Sequence, residues 1–173
     1  MKGPSKLRKA VYKGNIKKVV KLIDGGENID EVDYNQRTIL LELTKYHKFE
    51  ANVTPELIEL VVKLGADINY TIKRETAIIG RYEYETPLSN AVNAQNVEIV
   101  EVLLKHGANP NVEIDNGHPP HRDSGLNIID SIHEDPSEPD TIRIVSLLKS
   151  FGAEKSISNS TSDQSGGLDR LIL

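Results

Sequence analysis

The chain has 173 residues, of which 38% are hydrophobic but only 5% aromatic, with two Phe, six Tyr and no Trp. This length suits one domain or one elongated array, and the core must be mainly aliphatic. There is no cysteine, which excludes disulfides, thiolate zinc sites and cysteine nucleophiles. No segment approaches the roughly 18 uninterrupted apolar residues that a membrane span needs, so we expect a soluble, cytoplasmic protein.

The formal net charge of −5 is distributed unevenly along the chain. Residues 1–21 contain eight Lys or Arg and no acidic residue, so the remainder carries a net charge of −13. A basic segment of this kind can contact nucleic acid or an acidic partner. Here the lysines alternate with an apolar stripe that includes Leu7, Ala10 and Val11, which favours the solvated outer face of a first helix.

Four amphipathic segments recur along the chain, with apolar residues at i, i+3, i+4 and i+7 and a glycine at the end of each. They read GNIKKVVKLIDGGENID from Gly14, TPELIELVVKLGADIN from Thr54, QNVEIVEVLLKHGANPN from Gln95 and EPDTIRIVSLLKSFGAEKS from Glu138. The closing glycines are Gly26, Gly65, Gly107 and Gly152. Candidate partner helices precede the segments at about 5–13, 37–46, 86–94 and 126–133. The pattern predicts an all-α chain in which a helix–turn–helix unit occurs four times.

The third unit has the most specific motifs. TPL at Thr86 to Leu88 places a capping threonine before a proline in the first helical position, and IVEVLLKHGANPN follows from Ile99. With Ala91 and the LIELVVKLGADIN run from Leu57, these motifs make residues 5–155 similar to the ankyrin-repeat family.

The resemblance implies an ankyrin-repeat solenoid with repeats at about 5–33, 34–69, 70–111 and 112–155, and a polar tail with an apolar end at 156–173. The chain departs from the family at Leu41 and Ser89, where histidine is usual, and at Gln95, where glycine is usual. The LDRLIL end of the tail is expected to cap the open end of the stack, or otherwise to serve as a linear motif.

The spacing of the units is longer than the family period. The closing glycines are 39, 42 and 45 residues apart, against a period of about 33. Gly65 to Thr86 is nine residues longer than Gly26 to Thr38, which enlarges the finger YTIKRETAIIGRYEYE at 70–85. The second unit has its excess between helices, and the last unit divides its excess between its finger and its inter-helix stretch. The alternation of residues in the 70–85 finger predicts a twisted β-hairpin, and the sequence thus predicts enlarged β-hairpin fingers.

The hairpin is the first candidate partner-binding element, because tyrosine and arginine are enriched at interface hot spots. The alternative is that its tip folds back on the neighbouring finger. Its candidate contact residues are Tyr70, Arg74, Ile78, Ile79, Arg81, Tyr82 and Tyr84.

The resemblance implies further contact positions, since partners of ankyrin proteins usually meet the finger tips and the inner face of each first helix. At the finger ends these are Tyr34, Arg37, Tyr82, Glu83, Glu85, Arg122 and Asp123. At the ends of the first helices they are Tyr46, Asn93 and His133.

The motif HPPHRD contains His118 and His121 close to Asp115 and Asp123, which is a candidate metal-ligand set. Two loop histidines separated by prolines lie on no fixed face, so we favour a stiffened finger that contacts the partner. The sequence has no glycine-rich phosphate loop, nucleophile elbow or HExxH motif. We therefore expect no cofactor and no enzymatic activity, with a metal-dependent enzyme as the weakest alternative.

The expected function is a protein–protein interaction module, in the form of a stoichiometric inhibitor or immunity-type protein that acts as a monomer. Its partner is another protein, for which a basic one is a candidate. No small-molecule substrate, nucleic acid or membrane is expected. The alternative is an adaptor that links two partners.

Overall fold

The computed structural model describes residues 4–45, 53–75, 82–115, 126–132 and 138–155. The α-helices in these ranges are α1 (Lys6–Tyr12), α2 (Ile16–Asp24), α3 (Ile39–Leu43), α4 (Pro55–Lys63), α5 (Pro87–Asn93), α6 (Val97–Lys105) and α7 (Pro139–Ser150). The strands are β1 (Ile72–Glu75), β2 (Tyr82–Glu85), β3 (Glu113–Asp115) and β4 (Leu126–Asn127), and a 3₁₀ helix covers Ile128–Asp130.

The helices form two rows. Within the first three units α1 packs on α2, α3 on α4 and α5 on α6. Between units α3 packs on α5, α4 on α6 and α6 on α7. The first helices therefore form one row and the second helices the other, as expected for a solenoid of stacked units.

Side-chain caps and left-handed residues set the helix ends. Ser5, Thr38 and Thr86 each accept a hydrogen bond from the backbone N–H three residues later, which satisfies a donor that the first helical turn leaves free. The four predicted closing glycines have φ between 86° and 96°, a region that residues with a Cβ rarely adopt. Gln95 takes a similar conformation, with φ of 55°, at the position between helices where the first unit has Gly14.

The core lies between the two rows and is aliphatic, as the composition predicts. The residue two positions after each cap is fully buried in the first three units, and these residues are Leu7, Leu40 and Leu88. The second helices contribute buried residues such as Val19, Ile58, Val100 and Ile144. A continuous layer of this kind joins each repeat to the next.

The fingers contribute a four-stranded sheet in the order β1-β2-β3-β4. β1 and β2 are antiparallel, with Ile72 opposite Glu85 and Glu75 opposite Tyr82. β2 continues to β3 where Glu83 faces Asp115, and β3 is antiparallel to β4. The sequence analysis did not predict that β2 and β3 would join the two fingers in one sheet. Residues 76–81, the tip on which the enlarged-finger prediction depends, lie outside the described residues.

A ladder of hydrogen bonds joins successive fingers. The residue four positions after a closing glycine accepts a hydrogen bond from a backbone N–H of the next repeat. The pairs are Asp30 with Asp67 at 2.9 Å, Asn69 with Asn109 at 2.8 Å, and Asn111 with Glu154 at 2.8 Å. These contacts keep the fingers in register along the stack.

The fourth unit corrects the prediction of four complete helix pairs. The helix expected at 126–133 is replaced by β4 and a single turn of 3₁₀ helix. Ser131 Oγ donates to the Ile128 carbonyl at 2.7 Å, so a side chain occupies an acceptor that helical propagation would use. α3 is also shorter than the predicted 37–46, and there Thr44 Oγ1 donates to the Leu40 and Leu41 carbonyls.

Candidate protein-binding surface

A polar groove lies between the β1–β2 hairpin and the C-terminal end of α5. Its volume is about 460 Å³, and it extends from Lys45 after α3 to Ser131 after the 3₁₀ helix. The groove therefore crosses three successive repeats on the side of the first helices. The polar lining residues that are exposed or half-buried are Lys45, Arg74, Glu83, Tyr84, Glu85, Asn93 and Ser131.

Glu85 connects three parts of this surface. Its Oε2 accepts hydrogen bonds from Arg37 Nη2 in the first finger and from Arg74 Nε in the hairpin, both at 3.1 Å. Its Oε1 accepts from Asn90 Nδ2 of α5, also at 3.1 Å, and Asn90 donates in turn to the Leu41 carbonyl. The side chains of Glu85 and Arg37 are only 15% and 16% exposed. Glu85 thus fixes the base of the hairpin to the first finger and to α5.

The pKa of Glu85 lies below its usual value. Burial by itself would raise this pKa, but hydrogen bonds from Asn90 and Arg37 and the charges of Arg37 and Arg74 lower it by more. A carboxyl whose pKa is lower in the folded chain stabilises the fold above its unfolded-state pKa. That stability is lost as the pH falls through the folded-state pKa.

We predict that Glu85→Gln makes stability less dependent on pH in the acid range. Below about pH 4.3, the unfolded-state value for glutamate, the melting temperature of the parent chain should fall more steeply than that of the variant. Melting curves followed by circular dichroism at several pH values measure this difference. Glu83→Gln is the control, because Glu83 is exposed on the same strand. Equal acid sensitivity of the parent and Glu85→Gln would contradict this role for Glu85.

The first finger presents an aromatic side chain from a closed turn. Asp33 Oδ1 accepts from the Arg37 backbone N–H at 2.9 Å, and the Asp33 N–H donates to the Arg37 carbonyl at 3.0 Å. Tyr70 Oη donates to the carbonyl of Gln36 in this turn at 2.9 Å. Tyr34 lies within the turn and is 88% exposed. The hydrogen-bonded turn therefore holds the aromatic side chain of Tyr34 exposed to solvent.

Arg8 is a buried arginine that the sequence analysis missed. It was included in the basic segment assigned to a solvated face, and the lysines of α1 and α2 are indeed exposed. Arg8, however, is 4% exposed, and its Nη1 donates to Glu42 Oε2 at 2.5 Å. Its Nη2 donates to the carbonyls of Glu31 and Arg37. One sequence feature could have identified Arg8 as a buried residue. It lies three residues after the capping residue Ser5, on the side of α1 that faces the next repeat.

The structure brings part of the predicted contact set together. Arg37, Arg74, Glu83, Glu85 and Tyr84 meet at the base of the hairpin, and Asn93 lies exposed across the groove. Tyr34 and Tyr70 lie at the first finger. The backbone of Tyr82 belongs to β2. The predicted contact residues outside the described ranges are Tyr46, Ile78, Ile79, Arg81, His118, His121, Arg122, Asp123 and His133.

The part of the chain that the structure describes contains neither a metal-binding cluster nor a membrane-spanning helix. There, no group of three His, Cys, Asp or Glu side chains lies close enough to hold a metal ion. Most of the predicted metal-ligand set, His118, His121 and Asp123, lies outside these ranges. None of the helices in the described parts of the chain is long and apolar enough to cross a membrane.

Two rows of short helices, with fingers held in register, define a helical-repeat solenoid protein. The family model for ankyrin repeats (3 copies) matches residues 7–114. Since this match covers more than half of the chain, the chain belongs to the ankyrin-repeat family. Ankyrin repeats indicate a protein–protein interaction module and are typically non-catalytic.

Three relatives show the range of proteins in which similar repeats occur. An ankyrin repeat protein of Acanthamoeba polyphaga mimivirus is 38% identical over 82 residues, 47% of this chain and 43% of that protein. The phosphate system positive regulatory protein of Saccharomyces cerevisiae is 38% identical over 64 residues, 37% of this chain and 5% of that protein. The ankyrin repeat and KH domain-containing protein mask-1 of Caenorhabditis elegans is 28% identical over 104 residues, 60% of this chain and 3% of that protein. The chain therefore spans less than half the length of each of these relatives.

Proposed function

We propose that this chain binds another protein through the β1–β2 hairpin and the adjoining polar groove, and that it acts as a stoichiometric inhibitor of that partner. The observation that supports this proposal best is the Glu85 cluster. It joins the first finger, the hairpin and α5, so that the groove side chains project from elements that are already fixed relative to one another. A surface organised before binding loses less conformational entropy on association.

The chemistry of the groove suits a protein surface. Exposed Lys45 and Glu83 offer both signs of charge, Asn93 offers an amide, and Tyr84 offers an aromatic ring that is half-buried. Such a mixture can pair with the backbone and side chains of a partner, and aromatic and arginine residues supply most of the energy in many interfaces. The partly exposed guanidinium of Arg74 adds a cation at the mouth of the groove.

We predict that Asn93→Arg weakens partner binding by at least about tenfold, which corresponds to about 1.4 kcal/mol. Asn93 is exposed at the end of α5, so the long charged side chain should fill the groove without disturbing the core. The partner is first captured on the immobilised parent chain, and its affinity for each purified variant is then measured by calorimetry.

The matched control is Ser146→Arg, which places the same side chain on the exposed face of α7, away from the groove. The proposal requires that the control retains the partner and that Asn93→Arg loses it. If both variants bind as the parent does, the groove is not the contact surface and the proposal is wrong.

The same complex separates an inhibitor from an adaptor. An inhibitor forms a one-to-one complex in which the partner loses its activity. An adaptor leaves the partner active and retains a third protein in the complex. Mass measurement of the complex by light scattering, together with an activity assay of the partner, decides between them.

A further inference from the structure

A second cavity lies at the start of the stack, between α1 and the first finger. Its volume is about 810 Å³, within the range typical of ligand-binding clefts. The charged and aromatic residues of its lining are Arg8, Tyr12, Glu31, Asp33, Tyr34, Arg37 and Glu42. The exposed lysines of α1 are not among the lining residues.

The charges of this cavity favour a cationic occupant. Three carboxylates line it, against two guanidinium groups. The guanidinium groups are the more buried, because the side chains of Arg8 and Arg37 are 5% and 16% exposed, whereas those of Glu31 and Glu42 are 26% and 24% exposed.

Both guanidinium groups also have partners within the protein. Arg8 donates to Glu42 and to two backbone carbonyls, and Arg37 pairs with Glu85, which does not line the cavity. Glu31 and Glu42 are in turn the ion-pair partners of Arg8, but one guanidinium group does not balance three carboxylates, so the net charge of the lining is negative.

Two tyrosines complete the site. Tyr34 stands exposed at the rim on the closed turn of the first finger, and an aromatic face attracts a cation that lies over it. Tyr12 lies deeper, with its hydroxyl buried beside Glu42 and Arg8. This hydroxyl makes no hydrogen bond of normal geometry among the described residues, so an N–H donor that entered beside Glu42 could pair with it.

We propose that this cavity receives a lysine or arginine side chain of the protein partner. Glu42 and Glu31 would neutralise the cation, and Tyr34 would cover it at the rim. This inference rests on the proposed function, because it assigns a chemical class to one element of the partner. It also identifies a contact surface separate from the groove at the hairpin.

The first test uses peptides in place of the unidentified partner. Three acetylated and amidated pentapeptides, which contain two arginines, two citrullines or two glutamates, are titrated into the isotope-labelled full chain and followed by NMR. The arginine peptide should shift the backbone signals of residues 31–37 and of α1, and added salt should weaken the effect. Citrulline has the shape of arginine without its charge, so equal shifts with the citrulline or glutamate peptide, or shifts confined to other residues, would overturn the proposal.

Two variants and a control locate the site. Glu42→Gln keeps an acceptor for Arg8 but removes the charge, and it should weaken binding of the arginine peptide at least about fivefold. Tyr34→Ala removes a side chain that is almost wholly in solvent, so it should fold normally and weaken binding at least about threefold. Glu101→Gln, on the outer face of α6, is the charge control and should bind as the parent does. If Tyr34→Ala binds as tightly as the parent, the proposal is wrong, whatever the stability of Glu42→Gln.

A failure of the proposal for this cavity can be distinguished from a failure of the proposed function. If the arginine peptide does not bind but Asn93→Arg still abolishes the complex with the captured partner, only the cationic site is disproved. If Asn93→Arg leaves that complex intact, the proposal that the groove binds the partner is wrong, whatever the peptide result.

Discussion

Replacement of Arg8 by alanine is expected to lower the free energy of unfolding by about 3–5 kcal/mol, the range for loss of one partner of a buried ion pair. The substitution leaves the carboxylate of Glu42 without its cation. It also removes the donor to the carbonyls of Glu31 and Arg37, which belong to the finger between the first and second repeats. Urea unfolding followed by circular dichroism measures the effect.

Lys9→Ala is the control for Arg8→Ala, because Lys9 is the next residue of α1 and is exposed. It should change the free energy of unfolding by no more than about 0.5 kcal/mol. Arg8→Lys should fall between the two, since an ammonium group keeps the charge but lacks the planar set of donors that reaches three acceptors. A loss below about 1 kcal/mol for Arg8→Ala would show that this cluster does not join the first two repeats.

Leu103→Ala is expected to lower the free energy of unfolding by about 2–5 kcal/mol, as buried Leu→Ala changes do. Leu103 is completely buried in α6, which packs on α4, α5 and α7. The cavity would thus weaken the interfaces of the third repeat with both neighbours, and stability in a solenoid depends on such interfaces.

Ile142→Ala is the control for Leu103→Ala, because Ile142 is also an aliphatic helical residue but is 51% exposed. It should cost about 1 kcal/mol or less, since less apolar area returns to water. Equal losses for the two variants, measured by urea unfolding, would contradict the assigned position of Leu103 in the core.

The parts of the fold set by local chemistry could be predicted from the sequence. The second helices, their closing glycines and the Thr86 cap follow from periodicity and from the conformations that single residues permit. The incomplete first helix of the fourth unit was not predicted. There Asp130 Oδ2 accepts from the Asn127 N–H and so caps the start of the turn. Ser131 Oγ donates to the Ile128 carbonyl, an acceptor that a longer helix would use.

Contacts between residues far apart in the chain could not be predicted in the same way. Arg8 reads as one more charge in a basic segment until the fold brings Glu42 beside it. Arg37 and Glu85 were chosen as partner contacts because of their position at the finger ends, but the structure pairs them with each other across two repeats. The position of Arg37 and Glu85 at the finger ends could be read from the sequence. Their pairing depends on the relative placement of two fingers, which no local sequence pattern specifies.

Removal of residues 74–82 tests most directly whether the β1–β2 hairpin and its groove bind a protein partner. This deletion restores the finger to the length of the first one, and it keeps Ile72, Glu85 and the bonds from Arg37 and Asn90 to Glu85. The measurement is the affinity of the captured partner for the shortened chain, with circular dichroism to check the fold. We predict a folded chain that no longer binds the partner. A folded shortened chain that binds as tightly as the parent would contradict the claim, and a shortened chain that unfolds would show instead that the hairpin is a structural brace.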